Sequence, residues 1–475
     1  MKFCLKACMH LVKPMVKYFS FIVTLFIFSI NAYSQENSPF SRYGVGDLYP
    51  QQSIASRGMG GVSAAFTSTQ AINTINPASY GYIGIVTYDF ALSIDSRTLI
   101  NASPVEKYKS VNFLPSYLQL GVPLTKKKNG VGLVFGIRPY TRINYSVNDG
   151  TRITYPGTGV TDSVQQIYGG NGGLNQVFAG LGKTWRGKKN QLNAISIGFN
   201  GGYEWGQKFT STIIQFPSDS TFENWYSSNS TDTTRFWGLF LNPGIMVNFL
   251  VKQTTDPLTK IKSSYVLGLG ASGTLEQDLK ASRDVTRQTF SYNTDGSLKP
   301  IDSVYKASGL HGKVNIPMNF NGGFMLNKML TNGPYQAKKW GIGVDYSYTP
   351  WSKYLFYGQP DQVINSWFIR GGIEYSPNPL GSKSTLATGI YRFGYYDGKD
   401  YIDADGNGYK VRAFTFGYSF NLRKFHSYDN QFTMINTAFE FGKRGSSVNN
   451  VTENFFKISL GLSLSDIWFI KRKYD

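Results

Sequence analysis

The sequence predicts an all-β protein, a 14-stranded antiparallel transmembrane β-barrel with an N-terminal hatch segment in its lumen. Three observations carry this reading. From Ile83 onward, fourteen segments of about ten residues alternate apolar and polar side chains, the period of a strand. The apolar phase is rich in Tyr, Trp and Phe, as on the lipid face of an outer-membrane barrel. Short connections alternate with longer ones along the chain, as periplasmic turns alternate with external loops.

The N-terminus comes first. Lys2, Lys6, Lys13 and Lys17 precede the apolar run "FSFIVTLFIFSI" (19–30), and "NAYSQ" offers small residues for cleavage after Ser34. Residues 1–34 therefore read as a secretory signal peptide, with an uncleaved anchor as the alternative. Cys4 and Cys8 both lie in that segment, so about 440 mature residues contain no thiol. Disulfides, zinc–thiolate sites and cysteine nucleophiles are excluded from the mature chain. Only His311 and His426 remain, too few for a histidine metal cluster. Removing the four lysines lowers the formal charge from +19 to +15.

Residues 83–475 form the barrel. "YDFALSI" aligns Tyr88, Phe90, Leu92 and Ile94 against Asp89, Ala91 and Ser93. "WGLFLNPGIMVNFLV", "WGIGVDYSY" and "FFKISLGLSL" repeat the pattern. Charges within strands fall on the other phase: Asp89, Arg138, Arg142, Glu204, Lys313, Asp345, Arg370, Glu374, Arg392, Glu440 and Lys457. A soluble sandwich shares the alternation, but not the aromatic faces and even count of long strands. Closure satisfies every backbone donor, which lipid cannot do for an open edge. The short connections include "TKKKNG", "RGKKNQ" and "SPNPLGSKS"; the longer ones are expected at 145–173, 207–236 and 276–311. Much of the positive charge lies in the short set. It reads as solvated turns rather than a nucleic-acid surface, so no nucleic-acid partner is expected.

Residues 35–82 precede the first strand. "RGMGGVSAAFTSTQAINTINPASYGY" (57–82) lacks both strand alternation and helical periodicity. A barrel of fourteen strands is too wide for its own side chains to fill, since roughly eight suffice for that. Small residues let a backbone pack closely on the walls. The segment is expected to be the hatch; a flexible periplasmic tail is the alternative. "RGMGG" lacks the spacing of a dinucleotide loop.

"RGMGGVSAAF…NTINPAS" resembles the hatch of the long-chain fatty acid transporter (FadL) family, including Asn76, Pro77 and Ala78 beside Arg57, Gly58, Gly60 and Gly61. The stretches "GIRPYTRINYS", "VDYSYTPWSKY" and "SDIWFIKRKYD" resemble a related branch, PorV-like barrels found alongside type IX secretion. The first resemblance implies passive uptake of hydrophobic small molecules through a shifting hatch and a lateral opening near a kinked third strand. Strand two carries Pro115 and strand three Gly136 and Pro139, placing the candidate lateral gate there. Pro115 falls on the lumen phase and Pro139 on the lipid phase; a rim bulge is the bland alternative. The charged lumen phase suits instead a plugged barrel that docks proteins as a subunit of an envelope secretion or outer-membrane assembly complex.

"DADGNG" (Asp403, Asp405, Asn407) copies the start of a calcium loop, but Phe414 stands where the bidentate acid belongs. A hairpin turn is the main reading and weak cation binding the alternative. No catalytic motif is present, and no enzyme activity or cofactor is expected. The expected partners are the lipid bilayer of a Gram-negative outer membrane, a possible hydrophobic ligand, and envelope proteins.

Overall fold

The computed structural model describes residues 38–466 apart from 126–128, 155–160, 188–191, 217–225, 294, 296, 334, 382–383 and 423–431. The signal-peptide expectation lies outside the described residues. Fourteen strands close into one antiparallel barrel. They are β1 (Val86–Asn101), β2 (Glu106–Pro123), β3 (Val131–Pro139 and Thr141–Thr154), β4 (Thr161–Arg186), β5 (Leu192–Gln215), β6 (Ser227–Thr255) and β7 (Lys262–Ser272 and Gln277–Tyr292). The circuit continues with β8 (Leu298–Ile316 and Phe320–Asn332), β9 (Tyr335–Thr349), β10 (Ser366–Tyr375), β11 (Ile390–Lys399), β12 (Lys410–Leu422), β13 (Phe432–Arg444) and β14 (Val451–Asp466). It closes by pairing β14 with β1, Ser459 opposite Ser93. Among the described residues no helix is long and apolar enough to cross a membrane; crossing is by strands.

The alternation sorts the wall as the sequence requires. Phe90, Phe199, Leu239, Ile342, Phe393 and Phe414 are exposed on the outside, while Asp89, Glu204, Asp345, Arg392 and Glu440 are buried inside. An apolar exterior around a polar, filled interior is the pattern of an outer-membrane barrel.

Two expectations need correction. The stretches at 145–173, 207–236 and 276–311 are mostly strand rather than loop: Ser146 pairs with Gly169, Thr210 with Asp232 and Thr286 with Lys306. Runs such as "TSTIIQ" and "SNSTDTT" are Thr- and Ile-rich, so these polar segments extend the ladders. Strands reach 29 residues in β6, where roughly 9–11 cross a bilayer, so the outer halves of β3–β8 project as a wall above the membrane. Lys313 stands on that wall, exposed and paired with Asp278 at 3.5 Å, and not in the lumen.

Residues 38–82 run through the lumen. A 3-10 turn (Pro39–Arg42), a two-residue strand (Asp47–Leu48), a short helix (Ile54–Arg57) and a second 3-10 turn (Pro77–Tyr82) are its regular pieces. Ser53 caps the helix by accepting from Ser56 N, and Asn76 caps the last turn by accepting from Ala78 N.

Candidate functional site

The first described residues of the plug lie near the outer mouth and the last near the turn side. At the outer end Phe40 and Val45 pack against Trp351, Tyr354, Val363, Tyr401, Ile402 and Tyr409 of the β9–β10 and β11–β12 connections. Those loops fold inward over the plug. At the other end Tyr80 is fully buried with Ile72, Ile83, Val134, Phe178 and Phe240, and its hydroxyl donates to Asn200 Oδ1 at 2.7 Å.

Between these ends the wall grips the plug through charge and backbone bonds. Arg57 donates from Nε to Glu440 Oε1 at 2.6 Å and from Nη1 to Ser93 Oγ at 3.0 Å, with both ionic side chains about 95 % buried. Asp345 accepts from Ser63 N and Ala64 N at 2.5 and 2.7 Å. Arg138 donates to Thr74 Oγ1 at 2.8 Å, and Thr415 Oγ1 both accepts from Gly60 N and donates to Gly58 O. Asp47 pairs with Arg444 at 2.9 Å and Arg97 at 3.2 Å. Burial alone would raise the Asp47 carboxyl, but the two guanidiniums outweigh it and hold the group below its usual value.

The close approach depends on glycine on both sides. A Cβ on Gly394 would sit 2.1 Å from Gly60 N, on Gly372 2.4 Å from Met59 O, and on Gly198 2.4 Å from Pro77 O. Gly60 itself has φ +70°, a left-handed conformation that other residues rarely adopt. Gly58 lies against Gly417, Gly61 beside the Arg370 side chain, and Asn76 donates to Ala64 O and Ile245 O. The expected hatch residues Arg57, Gly58, Gly60, Gly61, Asn76, Pro77 and Ala78 are all in the lumen on the wall. What sequence reading missed is the receiving side: Glu440 and Asp345 are recognisable as lumen charges, but the wall glycines carry no signal that separates them from any other strand glycine.

The wall itself has a gap. The β2–β3 ladder runs from Pro123–Gly132 to Leu118–Ile137 and ends there. Beyond it the outer part of β3 takes Asp47 and Leu48 of the plug as its neighbours, opposite Arg142 and Thr141. Tyr49 N donates to Tyr140 O and Gln51 Nε2 to Pro139 O, both at 3.0 Å. A cavity of about 790 Å³ opens at this seam, lined by Phe113, Pro115, Pro139, Trp205 and Trp237 with Tyr49 behind them. Pro115 faces outward, not into the lumen. A bulge explains the change: Ala91 pairs with Tyr117 but Leu92 with Pro115, so Ser116 is extra and shifts the alternation by one. Gly136 lies below the gap, paired with Gln119, and makes room for the Phe178 ring. Thus Pro115 and Pro139 meet at one cavity, and Gly136 does not join them.

The second space, about 310 Å³, lies between plug and wall and is lined by Arg57, Arg97, Arg370, Glu440, Arg444 and Lys457 among others. It is a charged chamber. In the β11–β12 loop, Asp403 Oδ1 accepts from Gly408 N at 2.7 Å, and Asp405 accepts from Asn449 Nδ2 and Asn450 N at 3.1 and 3.3 Å. Asp403 thus holds its own turn, Asp405 ties that turn to the β13–β14 connection, and Asn407 donates to the Asp405 carbonyl.

A family model described as BamG matches residues 15–475. The chain belongs to the BamG family. This BamG-family barrel carries the apolar exterior and polar, filled interior of an outer-membrane barrel. Among its described residues no group of three or more His, Cys, Asp or Glu side chains is placed to hold a metal ion. No curated protein matches the sequence. Among solved structures it is similar to the Pseudomonas putida toluene transporter TodX, at 14 % identity over 89 % of this chain and 99 % of that one, with a TM-score of 0.49. The Ralstonia pickettii toluene transporter TbuX gives 13 %, 89 %, 99 % and 0.48. A Pseudomonas aeruginosa FadL homologue gives 12 %, 90 %, 100 % and 0.48. At such identities the likeness concerns the barrel fold alone.

Proposed function

We propose that this barrel is a non-transporting subunit of an outer-membrane assembly complex. Residues 1–34 serve as its signal peptide, 35–82 as a plug and 83–475 as the barrel. The observation that carries this reading is the filled lumen: a plug bonded to the wall along its length, aromatic loops over one mouth and Tyr80 in the other. A charged interior is a poor conduit for an apolar solute, because each step would desolvate ions without replacing their partners. Membership of the assembly-associated BamG family supports it and favours assembly over type IX secretion. The wall raised by β3–β8 supplies surface for envelope partners.

Tagged full-length protein, extracted from outer membranes in mild detergent, is expected to co-purify with other envelope proteins at fixed stoichiometry. Isolation as a lone monomer, together with restored uptake of an apolar solute by a deletion strain, would overturn the proposal.

One observation favours a second reading, FadL-like passive uptake of a hydrophobic small molecule. The seam cavity has an aromatic, lipid-facing lining at Pro115 and Pro139. Passage there would require the Asp47–Gln51 segment to leave the β3 edge. Lipid or detergent density inside the lumen of the purified protein would support this reading over the first.

A further inference from the structure

Four arginines of the lumen have carboxylate partners: Arg57 has Glu440, Arg97 has Asp95, Arg392 has Glu374 and Arg444 has Asp47. The outward-facing lysines of the turn-side rim are held differently. Lys252 of β6 stands opposite Tyr265 of β7, Tyr265 opposite Lys328 of β8, and Lys328 opposite Trp340 of β9. The same row continues through Tyr375 of β10, Tyr391 of β11 and Tyr418 of β12. It is an unbroken cross-strand line of lysines and aromatic rings over seven strands. These residues share the outward phase with Leu269, Phe324, Ile342, Ile373, Phe393 and Phe414, so the row borders the exposed apolar belt.

Its geometry is specific. Lys328 Nζ lies 5.5 Å from the Tyr265 ring centre, and Tyr265 meets Trp340 edge to face at 6.0 Å. Lys339 Nζ lies 5.1 Å from the Tyr375 ring. Farther round the rim Lys183 sits 4.8 Å from Trp185. Among the described residues Lys252, Lys328 and Lys339 form no ion pair with a carboxylate. The nearby acid of the β6–β7 turn, Asp256, instead accepts from Leu258 N and Thr259 Oγ1 at 2.9 and 2.7 Å.

We propose that this row binds the phosphate headgroups of anionic phospholipids, with their acyl chains on the apolar belt beside it. Ammonium groups held over ring faces at the edge of a hydrocarbon-facing surface match an anion tethered to hydrocarbon. A free phosphate satisfies the lysines but not the belt; a phospholipid satisfies both. Short turns face the periplasm in such barrels, so the lipid is that of the inner leaflet. This inference stands apart from the assembly reading and survives its failure.

The test is native mass spectrometry and titration of the delipidated full-length protein in detergent, using short-chain phosphatidylglycerol and phosphatidylcholine. Phosphatidylglycerol is expected to bind the parent more tightly. Affinity should fall by roughly fivefold for each lysine removed in K252Q, K328Q and K339Q and their combination. The arginine versions should keep the affinity. The single variant K328Q serves if the triple variant does not fold, with heat-modifiable migration as the check. Equal binding of the two lipids by the parent, or unchanged phosphatidylglycerol binding by folded K328Q, overturns the proposal. So does full displacement of the lipid by an equal concentration of inorganic phosphate, which would mark a free-anion site. Loss of a co-purifying protein with lipid binding intact would mark a protein contact and overturn it too.

Discussion

Arg57 and Glu440 form a buried ion pair, and when one is removed the other keeps only a neutral hydroxyl, Ser93 for Arg57 and Tyr396 for Glu440. Deleting one half of such a pair costs about 3–5 kcal/mol, more than most surface changes. Arg57→Ala is therefore expected to lower the midpoint of heat-modifiable unfolding substantially, and Arg57→Ala with Glu440→Ala to recover much of the loss. An unchanged midpoint in the single variant would show that the pair does not hold the plug. Neighbouring glycines provide a finer comparison. A Cβ on Gly371 meets nothing within 4 Å, whereas one on Gly372 would strike Met59 O. Gly371→Ala should leave protease resistance of the plug unchanged, while Gly372→Ala should expose it to cleavage. Equal behaviour of the two would refute close wall–plug packing at that level.

At the scale of elements, the N-terminal arm and the β2–β3 seam depend on each other. Asp47 anchors the arm, and its carboxyl is held below its usual value because Arg444 and Arg97 outweigh the effect of burial. A lowered folded-state value means that Asp47 stabilises the arm fully above its unfolded value of about 3.9. That contribution is lost as pH falls through the lower folded value. Detachment of the arm, read by limited proteolysis after acid incubation, should begin below about pH 4. Asp47→Asn should show weaker docking at pH 7 with less further change on acidification; an identical acid profile would assign the transition elsewhere. For the seam, Pro115→Val with Pro139→Val restores two backbone donors, each bond worth about 0.5–1.5 kcal/mol where it forms. If the gap serves passage, this double variant should lose apolar uptake at unchanged surface levels. Parental uptake would leave the seam as a bulge alone.

For the whole molecule, the plug decides whether the barrel is a pore. Fourteen strands leave a lumen wider than wall side chains fill. Removing residues 38–76 is expected to convert a silent barrel into a conducting one in planar bilayers, with the β-sheet circular dichroism retained. A deletion variant as silent as the parent would mean that the outer loops around Trp351 and Tyr401 seal it unaided.

The amino-acid sequence by itself determined strand identity, because a period of two with aromatics on one phase and charges on the other has few other solutions. For residues 57–82 it left two readings, a hatch against the walls and a flexible tail, because small side chains without periodicity suit either. The tertiary structure alone decided which way Pro115 faces, because one extra residue at Ser116 inverts the alternation and nothing local announces it. It alone decided that Asp47–Gln51 takes the place of β2 along β3, a pairing between segments nearly a hundred positions apart. It turned the expected outer loops into strands, because a long polar segment becomes sheet when a neighbour offers a ladder. Phase is written locally in a chain; register and partnership depend on what the rest of the chain brings alongside.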